Sequence, residues 1–171
     1  MKELDNYRIS LKGLRPGINN FTFELGPTFF QLFEQQLIRE AFVQVDLEVD
    51  RRSEMLVVNF SHQGYMITPC DRCLEAIKLP LRGKNRLLIK FEVVDSEEDA
   101  EVVFLKADSD FFNPARFIYE FVALSIPMVR TYDCTQDPEA PCNEEVLKHL
   151  KPQEEPKESP IWDELKKLKL N

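Results

Sequence analysis

From Ala41 to Asp50, and again from Met55 to Thr68, apolar residues recur at close to every second position. They are Phe42, Val45, Leu47 and Val49 in the first run, and Val57, Val58, Phe60, Tyr65 and Ile67 in the second. A period of two sends neighbouring side chains to opposite faces of a sheet and cannot line one side of a helix, so these runs predict two strands. Val43 beside Phe42 interrupts the phase, and the polar Arg51-Arg52-Ser53-Glu54 makes the turn between the runs. His62 falls within the second strand, where an imidazole satisfied in a sheet face is the expected role.

Shorter alternations extend the sheet. Tyr7, Ile9 and Leu11 are followed by turn chemistry at Gly13 to Asn20 and then by Phe21, Phe23 and Leu25, which predicts a hairpin-like pair. Leu74 to Leu81 and Leu87 to Val94 predict another pair, joined through Arg82-Gly83-Lys84-Asn85, and Glu101 to Leu105 a short strand. Helical spacing occurs in two main places. Gly26-Pro27-Thr28 precedes Phe29, Phe30, Leu32, Phe33 and Leu37, a helix of about three turns. Asn113 as cap and Pro114 at the first position precede Phe117, Ile118, Phe121, Val122 and Leu124, with Pro127 ending that helix. The expected fold is α+β, a mainly antiparallel sheet packed by two helices, over residues 1–150, with a weak helical turn at Glu144 to Leu150.

Residues 151–158 carry no apolar side chain and read as a flexible linker. Residues 159–171 read as a tethered amphipathic helix: Ser159 caps, Pro160 opens, and Trp162, Leu165 and Leu168 line one side. Trp162 is its natural anchor, either on the chain's own domain or in a partner's groove.

Thirteen Phe in 171 residues supply enough bulk for one core without obligatory disulfides or metal. The net charge of -8 opposes wholesale wrapping of a polyanion but permits a local basic patch. No Gly-rich phosphate loop and no Ser-His-acid spacing can be assembled. Acids stand in Met1 to Tyr7 where a secretory leader would be apolar, and no run approaches the ~20 apolar residues of a membrane span. The expectation is therefore a cytoplasmic protein with no membrane association and four reduced Cys.

Two segments carry chemistry. Cys70-Asp71-Arg72-Cys73 is a C-x-x-C at a strand end, and two such thiolates can chelate one ion as a knuckle. Cys134 and Cys142, with seven residues between them, would complete a tetrahedral Zn site, with His149 as a substitute ligand. The same residues admit two other readings, a thiol-disulfide oxidoreductase pair and reduced thiols packed in a tight turn. The second segment is a charge asymmetry. Residues 76–91 hold Lys78, Arg82, Lys84, Arg86 and Lys90 with no acid, and residues 92–101 hold six acids with no base. With Arg72 nearby, the basic stretch suits phosphate oxygens; the alternatives are that the acidic loop neutralises it, or that it is solvated protection of an edge strand. Phe91 is the one aromatic interleaved with it for stacking on a base.

The chain resembles the bacterial YceD family at Cys70-Asp71-Arg72-Cys73-Leu74-Glu75, at Leu124-Ser125-Ile126-Pro127-Met128-Val129, at the later Cys-bearing loop, and at Ser159-Pro160-Ile161-Trp162-Asp163-Glu164-Leu165. Cys70, Arg72 and Cys73 match that family's paired-Cys motif, Pro127 its proline and Cys142 its late Cys; Ser159-Pro160 stands where relatives often have Asp-Pro or Asn-Pro. The resemblance implies a role in synthesis, processing or stability of large-subunit ribosomal RNA, and implies neither catalysis nor a small-molecule substrate. The partner it implies is that RNA, met by Arg72, Lys78, Arg82, Lys84 and Arg86, or a ribosome-assembly protein that takes Trp162 and Leu165. A structural zinc-knuckle interaction module is the alternative, with Cys70, Cys73, Cys134 and Cys142 as ligands.

Overall fold

The computed structural model describes residues 2–34, 37–92, 102–106, 108–134 and 141–150. The acidic segment Asp95 to Asp99 and residues 151–171, where a linker and a helix with Trp162 and Leu165 are expected, lie outside the described residues.

After a 3-10 turn at Lys2–Tyr7, the strands are β1 (Ile9–Ser10), β2 (Gly17–Leu25), β3 (Glu40–Arg51), β4 (Met55–Pro69), β5 (Ala76–Glu92), β6 (Val102–Lys106) and β7 (Phe111–Phe112). The helices are α1 (Pro27–Phe30), α2 (Ala115–Leu124) and α3 (Glu144–His149). The main sheet has five strands in the order β2-β3-β4-β5-β6. The first four pair antiparallel, but β6 runs parallel to β5, so the expected mainly antiparallel sheet is a mixed one. A two-stranded ribbon of β1 and β7 stands apart.

Both long alternating runs form strands within a residue or two of their expected limits. Val43 keeps the phase with Ala41, Val45, Leu47 and Val49, all buried; Phe42 departs from it and points to the other face.

Three expectations are corrected. The segments around Ile9 and Phe23 are not hairpin partners: β1 pairs β7 through Ile9 and Phe112, whereas β2 pairs β3. Arg51 fixes the chain between β1 and β2, its guanidinium donating to the carbonyls of Leu11 at 2.9 Å and Leu14 at 2.7 Å. The helix expected from Phe29 to Leu37 is a single turn: Gly26 offers no side-chain cap, and Phe29, Phe30 and Phe33 form one aromatic cluster against Tyr119. Phe29 and Phe30 are buried, and Phe33 stacks on Tyr119 of α2 at 4.2 Å.

The third correction matters most for function: the two strands expected on either side of Arg82-Gly83-Lys84-Asn85 are one unbroken strand of 17 residues. Gly83 marks close packing here and not a turn. It pairs with His62 of β4, and a Cβ at position 83 would lie 2.5 Å from His62 Cε1 and 2.9 Å from Nε2. The glycine makes room for an imidazole that is only 4% exposed.

α2 forms as expected, Asn113 Oδ1 accepting the Ala115 N–H at 3.0 Å, and buries Ala115, Ile118, Tyr119 and Val122. It packs on the inner face of the sheet, where Phe121 meets Phe60 edge-on at 5.0 Å. Burial of these side chains, with Leu47, Val58, Leu81 and Ile89 from the strands, makes one core on that side. On the opposite face Gln63, Arg82, Lys84 and Arg86 reach solvent or line hollows, whereas Val57 near the β6 side is buried. No described helix is long and apolar enough to cross a membrane.

Candidate nucleic-acid interface

Along β5, residues 77, 79, 81, 87 and 89 are buried, while Lys78, Arg82, Lys84, Arg86 and Lys90 are exposed on the outer face. Because the strand is continuous, all five bases share one face. Side chains two residues apart lie about 6.7 Å from each other, so Lys78 to Lys90 spans ~40 Å. Leu88 and Pro80 are the uncharged members of the row.

Cross-strand register defines what adjoins the bases. On this face the pairings run Gln44–Gln63–Arg82, Asp46–Ser61–Lys84 and Glu48–Asn59–Arg86 across β3, β4 and β5. β4 thus presents a neutral row of amides and a hydroxyl between a basic row and an acidic one. The acids are held locally: Thr22 Oγ1 donates to Asp46 at 2.7 Å, Asn59 Nδ2 to Glu48 at 3.0 Å, and Arg52 pairs with Asp50 at 2.8 Å. Among the described residues no carboxylate pairs with Arg82, Lys84 or Arg86. A hollow of about 630 Å³ lies over Asp46, Ser61 and Lys84, and one of about 820 Å³ over Phe42, Gln63 and Arg82.

Aromatic neighbours of the basic row were invisible in the local sequence. Phe42 comes from β3 and Tyr65 from β4, their ring centroids 5.5 Å apart, and the Lys78 ammonium stands 5.3 Å from the Tyr65 centroid. The signal that would have found them is register, since Phe42, Tyr65 and Pro80 are direct partners. The expectation that Phe91 alone accompanies the charges is corrected accordingly.

The Cys70–Glu75 turn connects β4 to β5. Its Cys70 N–H donates to the Glu75 carbonyl at 2.8 Å and its Leu74 N–H to the Cys70 carbonyl at 2.9 Å, with Leu74 in the left-handed region at φ 63°. Asp71 latches the turn to the segment after α2: its N–H donates to the Arg130 carbonyl at 2.8 Å, and its carboxylate accepts from the Arg130 N–H at 2.8 Å and guanidinium at 3.0 Å. These contacts, led by the backbone N–H, hold the Asp71 carboxyl below its ordinary range. α3 joins the same region through Asn143 Nδ2 and Glu75 Oε1 at 3.4 Å. Arg72 is exposed on this turn.

The sulfurs face inward, Cys70 at 1% and Cys73 at 2% exposure, so a substrate disulfide has no approach to either. Burial pushes the Cys70 thiol up, but backbone N–H groups of Arg72, Cys73 and Tyr132, with the Cys73 thiol, outweigh it and lower the pKa. Cys134 and Cys142 are paired as a disulfide with Cα atoms 6.2 Å apart, which corrects the expectation that all four are reduced. The described residues bring together no group of three or more His, Cys, Asp or Glu able to hold a metal. With Cys134 and Cys142 joined, only Cys70 and Cys73 are left as thiolate donors, two of the four that the tetrahedral zinc set needs.

His62 also lies on the inner face, remote from solvent. Its Nε2 has no hydrogen-bond partner among the described residues, and desolvation lowers its pKa. The expectation of a satisfied imidazole is corrected: the ring is packed, not hydrogen-bonded at that nitrogen.

No curated protein and no solved structure matches the chain. A family model described as "Large ribosomal RNA subunit accumulation protein YceD" matches residues 58–169. The match takes in most of β4, the Cys turn, the whole basic row of β5 and both later helices, and leaves out β2 and β3. Covering more than half of the chain, it establishes that this protein belongs to the YceD family.

Proposed function

We propose that this chain is a cytoplasmic, non-catalytic factor that supports synthesis, processing or stability of large-subunit ribosomal RNA by binding RNA on the outer face of β5. The observation that carries the reading is the uniform sign of the row. Edge protection explains why a strand carries charge, Lys above all, but it does not need five bases in one row without an acid. Five bases with no acid, separated from the acidic row by a neutral strand, make a track that attracts phosphate despite a net charge of -8. Arg72 extends the track beyond the start of the strand. The family description supplies the class of RNA.

The test is complementation. Cells lacking the gene are expected to show a deficit of large subunits on sedimentation, restored by the wild-type chain and not by Arg82→Glu/Lys84→Glu/Arg86→Glu. Full restoration by that folded triple variant would remove the β5 row from the function.

A further inference from the structure

We infer that the open face selects unpaired RNA over duplex, with a nucleobase stacked on Phe42 and its neighbouring phosphates on Arg82 and Lys84. This rests on the RNA reading above and narrows its substrate.

Exclusion of duplex follows from the spacing of the rows. Strands lie about 4.8 Å apart, so the acidic row of β3 runs about 9.6 Å from the basic row of β5. The two phosphate strands of an A-form RNA duplex border a narrow groove on one side and a wide one on the other, separations on the order of 10 Å. A duplex seated with one backbone on Arg82, Lys84 and Arg86 and the other across the sheet brings that second backbone over Asp46 and Glu48. A single strand carries one line of phosphates and follows β5 without crossing β4.

Stacking follows from Phe42. Its ring is 43% exposed, stands beside Tyr65, and opens on the 820 Å³ hollow. The Lys78 ammonium attends the Tyr65 ring, which leaves Phe42 as the surface offered to a base. Gln63 and Gln44 border the same hollow, and their amides present both a donor and an acceptor to a base edge. Arg82 shares the register line of Gln63, and Lys84 follows about 6.7 Å along the strand, within the run of one flanking backbone. Base-on-ring contact of this kind tolerates any sequence and requires an unpaired base, since a paired one has its faces occupied.

The test uses the full chain and a fluorescein-labelled eight-nucleotide RNA, single-stranded or annealed to its complement, followed by anisotropy. The single strand is expected to bind about tenfold tighter or more, because the duplex meets like charges. Phe42→Leu is expected to weaken the single strand about 5- to 150-fold, the range for loss of one stacked base. Phe42→Trp should keep the affinity, with its indole fluorescence quenched on binding; circular dichroism confirms that both variants are folded. Equal or tighter duplex binding, or unchanged affinity in Phe42→Leu, overturns the inference. If in that case Arg82→Ala/Lys84→Ala still abolishes binding, the broader RNA reading stands. Absence of binding to either RNA by the wild-type chain sinks both.

Discussion

Gly83→Ala tests the continuity of β5 directly, since one unbroken strand is what aligns the five bases. A Cβ at 83 would sit 2.5 Å from His62 Cε1, about 1 Å inside ordinary van der Waals contact. His62 is packed in the core, so the ring cannot retreat into solvent. Overpacking of this size costs about 1–3 kcal/mol. Replacing a strand glycine by alanine returns about 0.5–1 kcal/mol of backbone entropy. The net expectation is a loss of about 0.5–2 kcal/mol in an otherwise wild-type chain. In a His62→Ala background the obstacle is gone, and the same substitution should stabilise by about 0.5–1 kcal/mol. Urea unfolding of the four proteins closes the cycle, with a coupling of about 1–3 kcal/mol. If residues 82–85 formed a turn instead, position 83 would not face His62. Equal effects of Gly83→Ala in both backgrounds would therefore refute the reasoning.

Two further outcomes are expected. His62 has a folded-state pKa below its ordinary 6.5, so its neutral form is favoured in the fold. The stability it contributes is complete above about pH 6.5 and lost progressively as pH falls toward the folded value. Urea midpoints measured downward from pH 7.5 should drop through this window, and His62→Leu should flatten the drop; an unchanged profile in that variant would assign the effect elsewhere. Asp71→Asn should loosen the latch to Arg130, seen as faster labelling of Cys70 by a thiol reagent with the far-ultraviolet spectrum preserved. Unaltered labelling would mean that the Asp71–Arg130 contacts do not guard the sulfur.

Patterning in the sequence revealed the sheet where periodicity was long and unbroken, as in β3 and β4, because one buried face fixes which side chains alternate. It misled where a local residue had a non-local cause. Gly83 reads as a turn from its neighbours, yet it accommodates an imidazole twenty-one positions away in the chain. Phe29, Phe30 and Phe33 have helical spacing, but they pack on one another and, through Phe30 and Phe33, on Tyr119 far downstream, a cluster that one helical turn is enough to present. The basic residues were legible as a cluster. Their sharing one face was not, since it depends on β5 not bending. Phe42 and Tyr65 could join them only through cross-strand register, which composition does not encode. The C-x-x-C was legible as a motif, whereas the burial of Cys70 and Cys73 was not, since their turn is latched by Asp71 to Arg130, about sixty residues away in the chain.

The salt dependence of RNA binding tests the central claim most directly. Each phosphate neutralised on a single strand contributes a slope of about -0.7 to log affinity against log salt. If Arg82, Lys84 and Arg86 each hold a phosphate, then Arg82→Ala/Lys84→Ala/Arg86→Ala should bind the same single strand with a slope shallower than the wild type's by about 2. Identical slopes for the two proteins would show that the outer row of β5 is not where the RNA backbone lies.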